Sequence, residues 1–147
     1  MMRVQEFVDT HAPYLQMDAT LQDAVDKLDL YKATVLPVLD EEGAVVGLIT
    51  EQQVFDALFA EWRVASQQVP MPSLAPFRAY AHARKDAPIT QWMTPDPPVI
   101  SEHAPIEEAV AQMLHHGLDT LPVLGEGKFI GTIRLVDCCQ AMLEPEP

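Results

Sequence analysis

The sequence predicts an α+β fold in which one strand-helix-strand-strand-helix (β-α-β-β-α) unit is used twice. The two copies pack about a pseudo-twofold axis and are separated by a partly helical insertion. Three observations carry this. Residues 34–50, TVLPVLDEEGAVVGLIT, return in degraded form at 120–134 as TLPVLGEGKFIGTIR. The match runs backwards without a gap: Ala19, Leu21, Ala24, Val25 and Leu28 fall on Ala104, Ile106, Ala109, Val110 and Met113, and Phe7, Val8 and Pro13 fall on Trp92, Met93 and Pro98, all at one spacing. The apolar period is helical before each LPV segment and strand-like from it onwards. Self-similarity that keeps register through both patterns marks one supersecondary unit used twice.

Residues 1–60 form the first copy. Pro13 breaks any helix near the start, and Tyr14 and Leu15 after it suggest a turn and a short strand. From Asp18 to Leu30, Leu21, Ala24, Val25 and Leu28 take the i, i+3, i+4, i+7 positions of an amphipathic helix, with Asp18 or Thr20 as its N-cap. Residues 33–39 and 44–50 are β-rich runs around the acidic turn Asp40 to Gly43, which predicts a hairpin. Gly47 interrupts the second run, where glycine marks a bulge or the close approach of another group. Val54, Ala57 and Leu58 then resume helical spacing.

Residues 61–91 have no counterpart before the first copy and carry Pro70, Pro72, Pro76 and Pro88, so they read as an insertion. Within it, residues 73–85 suit a short helix capped by Ser73 and displaying Arg78, His82, Arg84 and Lys85. Residues 92–143 repeat the order of the first copy, with Gly117 just past the helix where a C-terminal cap favours glycine. Residues 144–147 read as a frayed tail. A single copy leaves a sheet face or helix stripe uncovered; the other copy covers it and creates clefts at the junction.

Composition narrows the functions. A chain of 147 residues buries about two thirds of its unfolded surface on folding, and 48% apolar with 21% charged residues is ordinary for a globular domain. No apolar run approaches the roughly 18 residues of a spanning helix, which speaks against a membrane partner. The first residues lack the apolar core of a secretory signal, so the expected location is cytoplasmic. A net charge of −13 argues against nucleic acid, whose phosphates need a basic face. Adjacent Cys138 and Cys139 suit neither a disulfide nor, lacking CxxC spacing, a zinc site, and read as small helix residues. No metal site or required cofactor is expected. Without a Ser-His-Asp order, phosphate loop, HExxH motif or paired-carboxylate helix, no catalytic residues are assigned and an enzyme is disfavoured.

Two units of the form LPVLD or LPVLG followed by a glycine-interrupted strand and a T-x-x-D-like segment resemble a tandem pair of cystathionine-β-synthase-type (CBS) domains, a Bateman module. The resemblance spans nearly everything except the insertion. It implies a regulatory, signal-transducing module that binds an adenine nucleotide (AMP, ADP or ATP) or S-adenosylmethionine in composite clefts between the repeats. It also implies disc-shaped homodimers and a regulated protein partner. Carried over residue by residue, one cleft would combine Arg134 and Asp137 with Thr34, Val35, Pro37 and the turn at Pro13. The other would combine Thr50 and Gln53 with Asp119, Thr120, Pro122 and the turn at Pro98.

Neither T-x-x-D segment is intact: the first reads TEQQ and the second RLVD. Asp137 retains a carboxylate suited to ribose hydroxyls, and Arg134 offers a phosphate a bidentate partner, so the first cleft is the better candidate. Gln53 lacks the charge and Asp119 opposes an anion, so the second is expected to be weaker or empty. Plainer readings compete. Thr50 and Asp137 also stand where helix caps stand, Arg134 and Asp137 can form a surface pair, and His115 and His116 suit a helix end. Arg78, His82, Arg84 and Lys85 either reach a ligand phosphate or form a solvated face. Phe55, Leu58, Phe59 and Trp62, with Met142 and Leu143, exceed what a small unit needs and are candidates for a dimer interface. The alternative function is a ligand-free interaction or dimerisation module.

Overall fold

The computed structural model describes residues 1–145; the last two residues of the predicted tail lie outside the described residues. Two sheets form, each built on the hairpin of one repeat. The first has the order β1 (Leu15–Gln16), β2 (Val35–Leu39), β3 (Val45–Thr50), β4 (Thr94–Pro95), and the second β5 (Ile100–Ser101), β6 (Thr120–Gly125), β7 (Lys128–Arg134). β1 runs parallel to β2 and β5 to β6, whereas β2 with β3 and β6 with β7 are antiparallel hairpins. Five α-helices accompany them among the described residues: α1 (Leu21–Tyr31), α2 (Glu51–Ser66), α3 (Arg78–Arg84), α4 (Ile106–His116) and α5 (Leu135–Leu143).

Local chemistry accounts for the elements. Thr20 caps α1 by accepting from the Asp23 N–H at 3.1 Å while Asp23 accepts from the Thr20 N–H at 2.9 Å, a reciprocal capping box. The Asp40 carboxylate turns the acidic hairpin by accepting from the N–H groups of Glu42 and Ala44, both at 2.9 Å. The apolar side of α1, Leu21, Ala24 and Leu28, is buried together with Leu36, Val38 and Ile49 of the sheet. Ile106, Ala109, Met113, Leu121, Val123 and Ile133 do the same in the second repeat.

The repeats exchange their leading segments. Val4 is fully buried in the second core, and Ile89, its equivalent at the repeat spacing, is fully buried in the first. The Val4 N–H donates to the Ala104 carbonyl at 2.9 Å, and the Ile89 N–H donates to the Ala19 carbonyl at 3.0 Å. Further along, Asp9 bridges Thr132 in the second sheet, while Thr94 pairs with Leu48 as β4 of the first. Chain order and core membership therefore differ. The arm assigned to the first repeat completes the second core, and residues 89–91, assigned to the insertion, belong with the first.

At Gly47 and Gly131 the strands bulge, since Val38 pairs with Gly47 and Leu39 with Val45, and Val123 with Gly131 and Leu124 with Phe129. Both glycines lie under the exchanged segments. A Cβ on Gly131 would overlap the Asp9 carbonyl oxygen, and one on Gly47 would stand 2.5 Å from the Met93 Sδ. The expected bulge and close approach thus coincide at Gly47.

The insertion begins as a continuation of α2 past a kink at Phe59 (φ −126°, ψ 34°), the position equivalent to Leu143 at the end of α5. It folds back through a short 3-10 turn, Ala75–Phe77, into α3. Trp62 donates its indole N–H to the Pro72 carbonyl at 2.7 Å, and Arg84 pairs with Glu61 through both carboxylate oxygens, one contact measuring 2.8 Å.

Candidate functional site

Thr34 and Asp119 occupy equivalent positions just before β2 and β6 and meet at the pseudo-twofold axis, where the Thr34 hydroxyl donates to the Asp119 carboxylate at 2.8 Å. The helices that follow each hairpin point their starts here. The Glu51 N–H donates to the Thr34 carbonyl at 3.0 Å and the Leu135 N–H to the Asp119 carbonyl at 2.9 Å. A cleft opens on either side of the pair.

The first cleft, about 360 Å³, is closed on one side by the exchanged arm through Asp9, His11, Ala12 and Pro13. The end of α1 and the start of β2 contribute Tyr31, Lys32, Ala33, Thr34 and Val35, and the second repeat contributes Asp119, Thr120, Thr132, Arg134 and Val136. The second cleft has the same volume, about 360 Å³, and is lined by Thr34, Val35, Thr50, Glu51 and Gln52 with Gly117, Leu118 and Asp119. Residues 94–98, equivalent to the arm, do not line it.

Alignment to the CBS domain family covers residues 4–60 and 89–144, most of the chain and both repeats. The chain belongs to the CBS domain family. It is a tandem CBS pair, and solved CBS pairs share its fold. CBSX2 from Arabidopsis thaliana superposes with a TM-score of 0.78 at 22% identity, covering 96% of this chain and 94% of that one. CBSX2 in complex with AMP gives 0.73 at 21% identity, covering 97% of each. The CBS domain pair of protein MJ0100, in complex with 5′-methylthioadenosine and S-adenosyl-L-methionine, gives 0.70 at 17% identity over 97% of this chain and 96% of that one. In sequence the chain is 22% identical over 143 residues to an uncharacterized 17.7 kDa protein of Acidianus ambivalens, covering 97% of this chain and 74% of that protein.

Within this CBS pair the motif positions are distributed unevenly. Thr34, Val35 and Arg134 line the first cleft with the turn at Pro13, whereas Asp137 lies behind Arg134 and does not line it. The Asp137 carboxylate accepts from the Arg134 backbone N–H at 2.9 Å and from its guanidinium at 2.9 and 3.3 Å. That interaction holds the Arg134 charge firmly, raising its pKa further, with Asp9 and Asp119 adding smaller attractions. Arg134 thus serves half of a capping box: Asp137 caps the α5 start, but a guanidinium cannot accept in return.

Thr50 and Gln53 form the complete box on α2. The Thr50 hydroxyl accepts from the Gln53 N–H at 3.1 Å, and the Gln53 side chain accepts from the Thr50 N–H at 2.9 Å and donates to the Thr94 hydroxyl at 2.8 Å. Gln53 is therefore bound to the exchanged β4 segment, and of this pair only Thr50 lines the second cleft.

Three placements correct the sequence reading. Pro37 and Pro122 are buried inside their strands and line neither cleft, because β2 is buried along its whole length and the LPV prolines point into the interior. Asp119 and Thr120, assigned to the second cleft, both line the first. The start of β6 lies beside the axis, so Asp119 faces both clefts. Pro98 lines neither.

Arg84, in the basic cluster of the insertion, is engaged by Glu61 and by the Leu58 carbonyl on α2. The Arg84 guanidinium holds the Glu61 carboxyl down at about 2. Cys138 is buried, and that burial, with Asp137 nearby, pushes its thiol upward, which fits the small apolar helix residue expected. No cluster of three metal-ligating side chains occurs among the described residues.

The residues of the first cleft that the motif did not point to are Asp9, His11, Ala12, Tyr31, Lys32, Ala33, Thr132 and Val136. Lys32 had a visible signal, since it stands at the repeat position of Gly117. Both end their helices in the left-handed conformation, with φ 52° and 65°.

Proposed function

We propose that this CBS pair is a regulatory small-molecule sensor that takes an adenosine-containing ligand in the first cleft. The observation that carries the reading is the composition of that cleft. It is walled by both repeats and by the exchanged arm, so a molecule bound there contacts all three at once. Thr34, Thr120 and Thr132 supply hydroxyls, and the start of α5 supplies backbone N–H donors. The AMP complex of CBSX2 and the 5′-methylthioadenosine and S-adenosyl-L-methionine complex of MJ0100 support the ligand class. The second cleft lacks the arm and has neither Lys nor Arg in its lining, so it is the weaker site.

The signal would pass through a homodimer or a regulated partner in the cytoplasm, with no nucleic acid or membrane involved. Two apolar grooves favour assembly. One lies between α1 and α2, lined by Val25, Leu28, Phe55, Leu58 and Phe59, and the other between α4 and α5, lined by Ile106, Val110, Leu135 and Met142. No helix is long and apolar enough to cross a membrane among the described residues. The role is regulatory rather than catalytic. Titration calorimetry with AMP, ADP, ATP and S-adenosylmethionine tests the reading: at least one should bind, and no heat and no thermal shift with any at millimolar concentration would refute it.

A ligand-free interaction module is the second reading, favoured by the internal satisfaction of both cap pairs, Thr50 with Gln53 and Arg134 with Asp137. In that case Phe59→Ala disrupts the assembly, measured by light scattering, while Asp119→Ala leaves it intact.

A further inference from the structure

The charged groups of the first cleft are not equally available. Its two cations each have a carboxylate beside them at 2.9 Å, Arg134 firmly paired with both oxygens of Asp137 and Lys32 only in a solvent-exposed pair with Asp29. Its two carboxylates, Asp9 and Asp119, form no ion pair among the described residues. They are held by neutral donors instead. Asp9 accepts from the His11 backbone N–H at 2.9 Å, and Asp119 from the hydroxyls of Thr34 at 2.8 Å and Thr120 at 2.9 Å. Such bonds fix a carboxylate in place without cancelling its charge. With the two partner acids included, the group holds two cations and four carboxylates, a net charge of −2. The start of α5 already carries the Asp137 carboxylate, whose charge offsets the pull of that helix end on a further anion.

We propose, on the reading that this cleft takes an adenosyl ligand, that Asp9 and Asp119 make it select compounds with a neutral or net positive 5′ substituent over nucleoside phosphates. An adenosyl sulfonium or a plain nucleoside meets no penalty there. A 5′-phosphate brings about two negative charges and a triphosphate more, opposed by both carboxylates. For a charge roughly 8 Å away at an effective dielectric of about 40, each interaction changes affinity about fivefold. A bidentate grip on a phosphate through Nε and Nη2 of Arg134 displaces Asp137, and the acid left behind restores the repulsion.

The experiment is titration calorimetry in magnesium-free buffer with adenosine, S-adenosylmethionine, AMP and ATP, on the full chain and on Asp9→Asn and Asp119→Asn. Adenosine and S-adenosylmethionine are expected to bind at least about tenfold more tightly than AMP or ATP. Each Asn variant should narrow that ratio by about fivefold for every charge on the phosphate it no longer opposes, about 25-fold for AMP, with added salt narrowing it in the parent chain. Asn keeps an acceptor for Thr34, and thermal unfolding shows whether each variant is folded; Asp9→Asn supplies the test should Asp119→Asn unfold. Tighter binding of AMP or ATP than of adenosine overturns the selectivity and leaves the adenosyl site standing, as does an unchanged ratio in folded variants. Failure of all four ligands removes the adenosyl reading itself.

Discussion

Gly131 offers a sharp test of the segment exchange. An alanine there places its Cβ inside the Asp9 carbonyl oxygen, 2.8 Å from the carbonyl carbon and 2.9 Å from Val8 Cγ2. The obstacle is backbone, which cannot rotate away. The arm must lift and lose its paired bonds to Thr132, Asp9 N–H to the Thr132 carbonyl at 2.8 Å and Thr132 N–H to the Asp9 carbonyl at 3.1 Å. Two backbone bonds at about 1 kcal/mol each, with about 1–3 kcal/mol of overpacking, give a loss of about 3–5 kcal/mol. At 2–4 °C per kcal/mol, Tm falls by roughly 6–20 °C.

Gly47 is the internal control. Its Cβ would meet the Met93 side chain, with Sδ at 2.5 Å and Cε at 3.2 Å, and a flexible thioether can turn aside. Gly47→Ala should therefore cost no more than about 1.5 kcal/mol. The assay is urea denaturation of both variants, followed by fluorescence. Gly131→Ala should also widen the wall of the first cleft. Equal costs for the two variants, or a Gly131→Ala chain as stable as its parent, would refute the claim that the Asp9 segment is pinned on β7.

Ile89→Ala should cost about 2–5 kcal/mol by denaturation, because a fully buried side chain leaves the first core although it lies outside the first repeat in sequence. Thr20→Ala should lose about 1 kcal/mol with the α1 cap. Lys32→Gly should gain up to about 1 kcal/mol, since glycine is free of strain at φ 52° and the exposed pair with Asp29 contributes little. Glu61 titrates at about 2 in the fold, below its usual 4.5, so its contribution is complete above that usual value and is lost as pH falls towards 2. In a Trp92→Phe background, Trp62 emission should change over that window, and Arg84→Met should abolish the acid dependence.

Fold and site differed in how openly the sequence declared them. Helix periodicity at Leu21, Ala24 and Leu28 and the repeated LPV strands exposed the duplicated unit, because period and spacing are properties of the chain itself. The exchange of Val4 and Ile89 lay in segments too short to show a period, although both obey the repeat spacing that aligned Phe7 with Trp92. Asp137 carried a carboxylate that suits ribose and helix caps equally, and only the 2.9 Å contacts with Arg134 show which partner it has within the chain. Pro37 and Pro122 were placed in the clefts by the motif, yet a strand buried on both faces turns them inward. Asp119 was assigned to one cleft because linear assignment gives each residue a single side, whereas a residue on a pseudo-twofold axis has two.

The central claim is that the first cleft, completed by the arm, is the ligand site, and a crystal structure of the chain grown with adenosine tests it most directly. The nucleoside should lie between Thr34 and Thr132, against Pro13 of the arm. Adenosine bound instead beside Thr50 and Gly117, in the second cleft, would contradict it.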